Sequence, residues 1–113
     1  MDCVFCKIID KEIPATIIYE DDDVIAFDDL NPQAPIHFLV IPKKHITSNA
    51  SLDESDSHYI SKIFMTIKKI AYEKGVDGNG YRIVNNIGED GGQTVGHIHF
   101  HVLGGRSLQW PPG

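Results

Sequence analysis

Apolar and polar residues alternate most regularly near the end of the chain, in Val95-Gly-His-Ile-His-Phe-His-Val-Leu-Gly-Gly105. A β-strand sends successive side chains to opposite faces, so this run predicts His97, His99 and His101 on one face and Ile98, Phe100 and Val102 on the other. Earlier, the β-branched and aromatic runs Thr16–Tyr19 and Val24–Phe27 flank the acidic stretch Glu20–Asp23 and predict a hairpin. Residues 28–35 break the pattern with Asn31, Pro32 and Pro35, which favour turns and deny ladder hydrogen bonds. Ile36–Ile41 is almost wholly apolar, as in a strand covered on both faces, and stops at Pro42.

Between Asp53 and Lys74 the period changes. Ile60, Ile63, Phe64, Ile67, Ile70 and Ala71 follow helical spacing and form one apolar stripe. Asp53, Glu54 and Asp56 stand where the helix dipole favours anions, Lys68, Lys69 and Lys74 where it favours cations, and Gly75 suits the position just past the end. Tyr81–Asn86 predicts one more strand, followed by a glycine-rich loop and then the histidine run. The order β-β-β-α-β-β lacks the repeated crossovers of a parallel sheet. It predicts an α+β fold, an antiparallel sheet of about five strands with one long helix on one face and the histidine face left free for a ligand.

The length of 113 residues suits a single domain over 1–113, and the 42% hydrophobic and 23% charged fractions are ordinary for a globular protein. No apolar run is long enough to span a membrane and no basic-then-apolar leader pattern opens the chain, so the expected location is the cytoplasm and no membrane partner is expected. A net charge of −6 argues against a nucleic-acid polymer, whose binding needs many Lys and Arg against phosphates. It leaves room for a small phosphate ligand held by backbone N–H groups in one pocket.

Two features carry candidate chemistry besides the histidines. Cys3-x-x-Cys6 could supply half of a tetrahedral metal site or remain a pair of buried thiols; a redox motif would need a strand ahead of it, and only two residues precede Cys3. All three alternate histidines cannot share one ion, because at ~3.3 Å per residue the outer two are about 13 Å apart. Ile87–Gly96 contains four glycines, whose freedom at positive φ would let backbone N–H groups around Gly92 cup a phosphate; Gln93 and Thr94 add side-chain donors. By residue type alone, Asp28 and Asp29 read equally as turn formers and His37 as a satisfied core histidine.

His97-Ile-His-Phe-His-Val102 resembles the His-φ-His-φ-His-φ signature of the histidine-triad (HIT) superfamily. Nearly the whole chain is similar to its purine nucleoside phosphoramidase branch, through Asn31–Pro35, His37–His45, Gly91-Gly-Gln93 and Trp110-Pro-Pro-Gly113. The resemblance implies a hydrolase that cleaves the P–N bond of purine nucleoside 5′-phosphoramidates through a nucleotidyl-histidine. His99 would be the nucleophile, and His101 and Gln93 would bind phosphate oxygens. Thr94, where relatives usually carry serine, would relay a proton to the leaving amine. Asp29 would accept the ribose hydroxyls, Phe5, Phe27 and Leu30 would form the base slot, and Asn86 and His37 would complete the phosphate surroundings. Asp28 departs from the histidine common in relatives.

The same resemblance implies structural zinc on Cys3, Cys6, His45 and His97, no organic cofactor, and a homodimer. Residues 104–113, including Trp110, would then lie at the two-fold interface near the neighbour's site. Two other functions compete: a dinucleoside polyphosphate hydrolase, and a nucleotide-binding regulatory protein with little catalysis. A nucleotidyltransferase branch resembles His-Pro-His-Ala-Gln instead, and the residue here is His101.

Overall fold

The computed structural model describes residues 3–113. In chain order its elements are helix α1 (Val4–Ile9), strands β1 (Ile17–Glu20), β2 (Val24–Asp28) and β3 (Ile36–Pro42), helix α2 (Ser57–Glu73), and strands β4 (Tyr81–Val84) and β5 (Phe100–Gly104). The strands lie in the order β1-β2-β3-β5-β4, and every neighbouring pair is antiparallel. The fold is therefore α+β, with a five-stranded antiparallel sheet and one long helix, as the residue pattern predicts. Among the described residues, no helix is long and apolar enough to cross a membrane.

Strict alternation in the central strands divides the apolar residues between two layers. Val24, Ala26, Phe38, Val40, Phe100 and Val102 pack with Ile63, Ile67 and Ile70 of α2. Ile25, Phe27, Leu39 and Ile41 point the other way and pack with Cys3, Phe5 and Ile8. This second layer corrects the expectation of a free histidine face. Burying a large apolar side chain is worth about 1.5–3 kcal/mol, so four such residues left in water would forfeit an amount comparable with a domain's net stability. Helix α1 supplies their cover, and at six residues it is too short to announce itself by periodicity.

The long helix starts later than the predicted Asp53. Residues Glu54–Asp56 form a 3₁₀ turn, in which the Asp53 carboxylate accepts the Ser55 N–H at 3.1 Å and the Asp56 carboxylate accepts the Asp53 N–H at 3.1 Å. These acidic side chains thus satisfy the orphan donors of a turn leading into α2. At the other end the chain leaves the helix through Gly75 at φ +75°, which fits the expected stop.

The histidine run is also shorter as a strand than predicted. Paired residues begin at Phe100, opposite Val40, while His97 and His99 lie in the segment leading into β5. Alternation survives there because the Ile98 N–H donates to the Ile46 carbonyl at 2.7 Å. Ile98 thus joins the α2 layer and its two histidine neighbours are buried. Strand β4 ends at Val84, two residues before the predicted limit.

Candidate active site

His99 sits at the join between this lead-in and β5, and 3% of it is exposed. Its Nδ1 lies 2.8 Å from the carbonyl oxygen of His97. A carbonyl only accepts, so Nδ1 carries the hydrogen and Nε2 of the neutral ring keeps the lone pair. The His97 carbonyl therefore orients a potential nucleophile two residues further on. Asn85, which the residue pattern did not single out, donates from Nδ2 to the His99 carbonyl at 2.9 Å and ties this segment to the end of β4.

His99 and His101 line one cleft of about 260 Å³ together with Asp29 and Thr94. Phe5, Phe27 and Leu30 line its apolar side, so seven residues expected to act together are brought together. Leu30 is 93% exposed, whereas Phe5 packs edge-on against Phe27 at 5.5 Å and against His99 at 5.1 Å between ring centroids. Helix α1 thereby builds one wall of the cleft, with Val4 and Ile8 beside Phe5. The i, i+3 spacing of Phe5 and Ile8 is the one signal that could have pointed to it.

His37, Asn86, Gly92 and Gln93 are not among the residues lining the cleft. His37 stands behind His101, with Nε2 3.0 Å from His101 Nδ1 and 3.4 Å from Asp29 Oδ2. Gly92 and Gln93 belong to the glycine-rich loop expected to cup a phosphate. Their N–H groups donate at 3.0 Å to the carbonyls of Glu89 and Gly88, which closes turns within the loop. The Gln93 amide nitrogen donates to the carbonyls of Thr47 at 2.7 Å and Val95 at 2.9 Å, and its oxygen accepts the Gly88 N–H. Gln93 therefore stitches its loop to the 43–48 segment. Among the described residues no side-chain hydrogen bond places Asn86; the asparagine that reaches the histidine segment is its neighbour Asn85.

Burial, reinforced by the neighbouring His99 and His37, lowers the pKa of His101 to about 4 despite Asp29 nearby. Its ring is neutral at pH 7. His97 is fully buried, and burial likewise lowers its pKa to about 4.

A second cluster lies on the far side of His97. Cys3 caps α1 and accepts the Cys6 N–H at 3.2 Å, so Cys-x-x-Cys forms the first helical turn. His97 Nε2 donates to the Pro42 carbonyl at 2.9 Å, which leaves the Nδ1 lone pair facing this turn. From that Nδ1, Cys3 Sγ is 3.4 Å, Cys6 Sγ 3.6 Å and His45 Nδ1 3.2 Å away; Cys6 Sγ is 3.3 Å from His45 Nδ1. Tetrahedral zinc with bonds of ~2.0 Å to nitrogen and ~2.3 Å to sulfur sets ligand separations of about 3.3 Å for N···N and about 3.5 Å for N···S. The four residues are close enough to hold a metal ion, and their spacing is compatible with zinc. Burial and the adjacent Cys3 push the Cys6 thiol up to about 11; a dication held by these residues would favour the thiolate instead.

The sequence and the fold are similar to those of known proteins. A family model described as scavenger mRNA decapping enzyme C-term binding matches residues 2–109. A HIT-like protein of Synechococcus elongatus is 51% identical over 112 residues, which cover 99% of this chain and 97% of that protein. The chain belongs to the histidine-triad (HIT) superfamily. Its structure matches the HIT family hydrolase of Legionella pneumophila with a TM-score of 0.97 and 49% identity, over 99% of this chain and 100% of that one. A histidine triad protein of Clostridium difficile matches with a TM-score of 0.93 and 53% identity, over 96% and 95%. The histidine triad nucleotide-binding protein of Candida albicans matches at 0.84 and 33%, over 97% and 83%. In this HIT protein the three triad histidines divide between the two clusters, His97 facing the cysteines and His99 with His101 facing the cleft.

Proposed function

We propose that this protein is a nucleotide-binding hydrolase that cleaves the P–N bond of purine nucleoside 5′-phosphoramidates. The observation that carries this reading is the His99 ring, anchored through Nδ1 on the His97 carbonyl and lining, with its Nε2 lone pair unspent among the described residues, a cleft that also holds a carboxylate and an apolar slot. Nε2 attacks the α-phosphorus, the P–N bond breaks, and the amine leaves with a proton relayed by the Thr94 hydroxyl. Water then attacks the nucleotidyl-His99 phosphorus and releases the nucleoside monophosphate. His101 stabilises the non-bridging oxygens. Asp29 accepts the ribose hydroxyls, with the base between Phe5, Phe27 and Leu30. In this reading Gly92 and Gln93 shape the loop that carries Thr94, Asn86 flanks the phosphate, and His37 acts from behind His101. The names of the Legionella hydrolase and the Candida nucleotide-binding protein support the coarser part of the proposal, a nucleotide-binding hydrolase.

Zinc on Cys3, Cys6, His45 and His97 belongs to the same proposal; it would fasten α1, and with it Phe5, to the sheet. So does a homodimer, since Trp110 is 82% exposed and a second copy would cover it. Cytoplasmic residence fits two free cysteines kept reduced.

The test is rapid mixing with adenosine 5′-phosphoramidate, quenching, and intact-mass measurement. One adenylyl group on wild type and none on His99→Ala is the expected result. Turnover that persists in His99→Ala overturns the covalent mechanism. The match to the decapping-enzyme model favours dinucleoside polyphosphates as the second reading; faster hydrolysis of these in direct competition would select it.

A further inference from the structure

The backbone N–H of Gln33 lies 3.0 Å from His37 Nδ1. An N–H only donates, so His37 Nδ1 holds a lone pair and the hydrogen of the neutral ring is on Nε2. That Nε2 is 3.0 Å from His101 Nδ1, which must accept in turn, leaving the His101 hydrogen on its own Nε2 at the far edge of the ring. His99 has the opposite tautomer, with its hydrogen on Nδ1. Two adjacent imidazoles, 5.1 Å between centroids, are thus set by two backbone groups as one lone-pair donor and one N–H donor.

Asp29 makes this arrangement informative. Its Oδ2 is 3.8 Å from His101 Nδ1, and a carboxylate beside an imidazole nitrogen ordinarily draws the hydrogen to that nitrogen. The His37 Nε2–H occupies Nδ1 and prevents it. Gln33, in turn, is held by a residue just past the end of the neighbouring strand β5. Arg106 Nη2 and Nε donate to the Gln33 carbonyl at 2.8 and 3.3 Å, and the Gln33 side chain donates to the Asn31 carbonyl at 2.9 Å. The loop seats against Gly105, at φ +90°, where a Cβ would meet Pro35 at 2.9 Å. Neither Gln33 nor Arg106 lines the cleft.

We propose that Gln33 and Arg106 are positioning residues that act through His37 to keep the His101 hydrogen on Nε2, so that His101 presents a donor to the phosphate oxygens. The donor role rests on the hydrolase reading above; the tautomer does not. Long-range ¹H–¹⁵N correlation spectra of the ¹⁵N-histidine protein report which nitrogen of each ring is protonated. Wild type should show Nε2–H for His37 and His101 and Nδ1–H for His99. His37→Leu should move the His101 hydrogen to Nδ1, toward Asp29, while His37→Gln, whose amide nitrogen can replace the donor, should restore Nε2–H. Arg106→Ala should give mixed tautomers at His37.

With adenosine 5′-phosphoramidate, losing one oriented donor should lower kcat by about a hundredfold in His37→Leu with KM little changed. The fall should be about threefold in Arg106→Ala and small in His37→Gln. The His99 signal serves as the internal check on folding. A wild-type His101 protonated on Nδ1 overturns the relay, and Arg106→Ala with wild-type tautomers and kcat overturns the clamp. Correct tautomers without phosphoramidate turnover would sink the hydrolase reading and leave the relay standing.

Discussion

Acid should destabilise the metal-free protein through His101 in a window that few other groups share. The unfolded chain takes up this proton near pH 6.5 and the folded chain only near pH 4. Between these values the unfolded state binds more protons, so stability falls as pH falls. Integrating the linkage from pH 7 to pH 4.5 gives a loss of about 2 kcal/mol from this one group. The carboxylates with resolved shifts are all held low and titrate beneath the window. Asp21 is held low against its own burial by hydrogen bonds from Tyr19 and the N–H groups of Asp23 and Val24; Glu20 is held by Lys11 and Lys43, Asp53 by Ser55, and Asp56 by Lys44. The perturbation is His101→Asn, whose side-chain oxygen can still accept from His37. Urea denaturation in EDTA at half-unit steps of pH should show a shallower acid slope for the variant, with the two curves separating by about 2 kcal/mol across the window. His97 titrates in both proteins and cancels in the difference. Parallel slopes would refute the claim that burial keeps His101 neutral.

Three further outcomes follow from particular contacts. Phe5→Ala should cost about 3 kcal/mol, the low end for a buried aromatic because the void opens into the cleft, which for this chain length is about 12 °C in Tm by calorimetry; AMP should also bind more weakly by titration calorimetry. Protein purified without chelator should carry one zinc per chain by elemental analysis, His97→Ala and Cys6→Ser should carry none, and chelation should speed hydrogen exchange in α1 while His99→Ala keeps its metal. Asn85→Ala should cost about 1 kcal/mol by urea denaturation, because it removes the hydrogen bond to the His99 carbonyl.

The strands were legible because their packing is set by side-chain alternation, which is written in the residues themselves. Ile98, Phe100 and Val102 join the α2 layer as spaced, and Val24–Asp28 and Ile36–Pro42 pair as a hairpin-like ladder. The cover over the second layer was not legible. Both faces of Ile36–Ile41 read as buried, but six residues of α1 have no period long enough to show which segment does the covering. The helix start shifted for a related reason: Asp53 and Asp56 mark an N-terminus equally well for a 3₁₀ turn and for an α-helix.

The site divides along the same line, between what side chains declare and what backbone groups decide. The His-x-His-x-His spacing and the Cys-x-x-Cys turn show which residues share a face or a helical turn. They cannot show which nitrogen of each ring is free, because that depends on the carbonyls of His97 and Pro42 and the amide of Gln33, all of which look alike in any sequence. Those three backbone groups give the histidines different roles. Pro42 turns the His97 lone pair toward the cysteines, the His97 carbonyl leaves the His99 lone pair unspent, and Gln33, through His37, makes His101 a donor. His97 is the residue where both clusters meet, since its ring faces Cys3, Cys6 and His45 while its carbonyl holds His99. A displacement of α1 at the cysteines therefore reaches His99 by two routes, through the His97 backbone and through the Phe5 ring packed on its edge. The Cys3, Cys6, His45 and His97 cluster and the cleft form one mechanical unit.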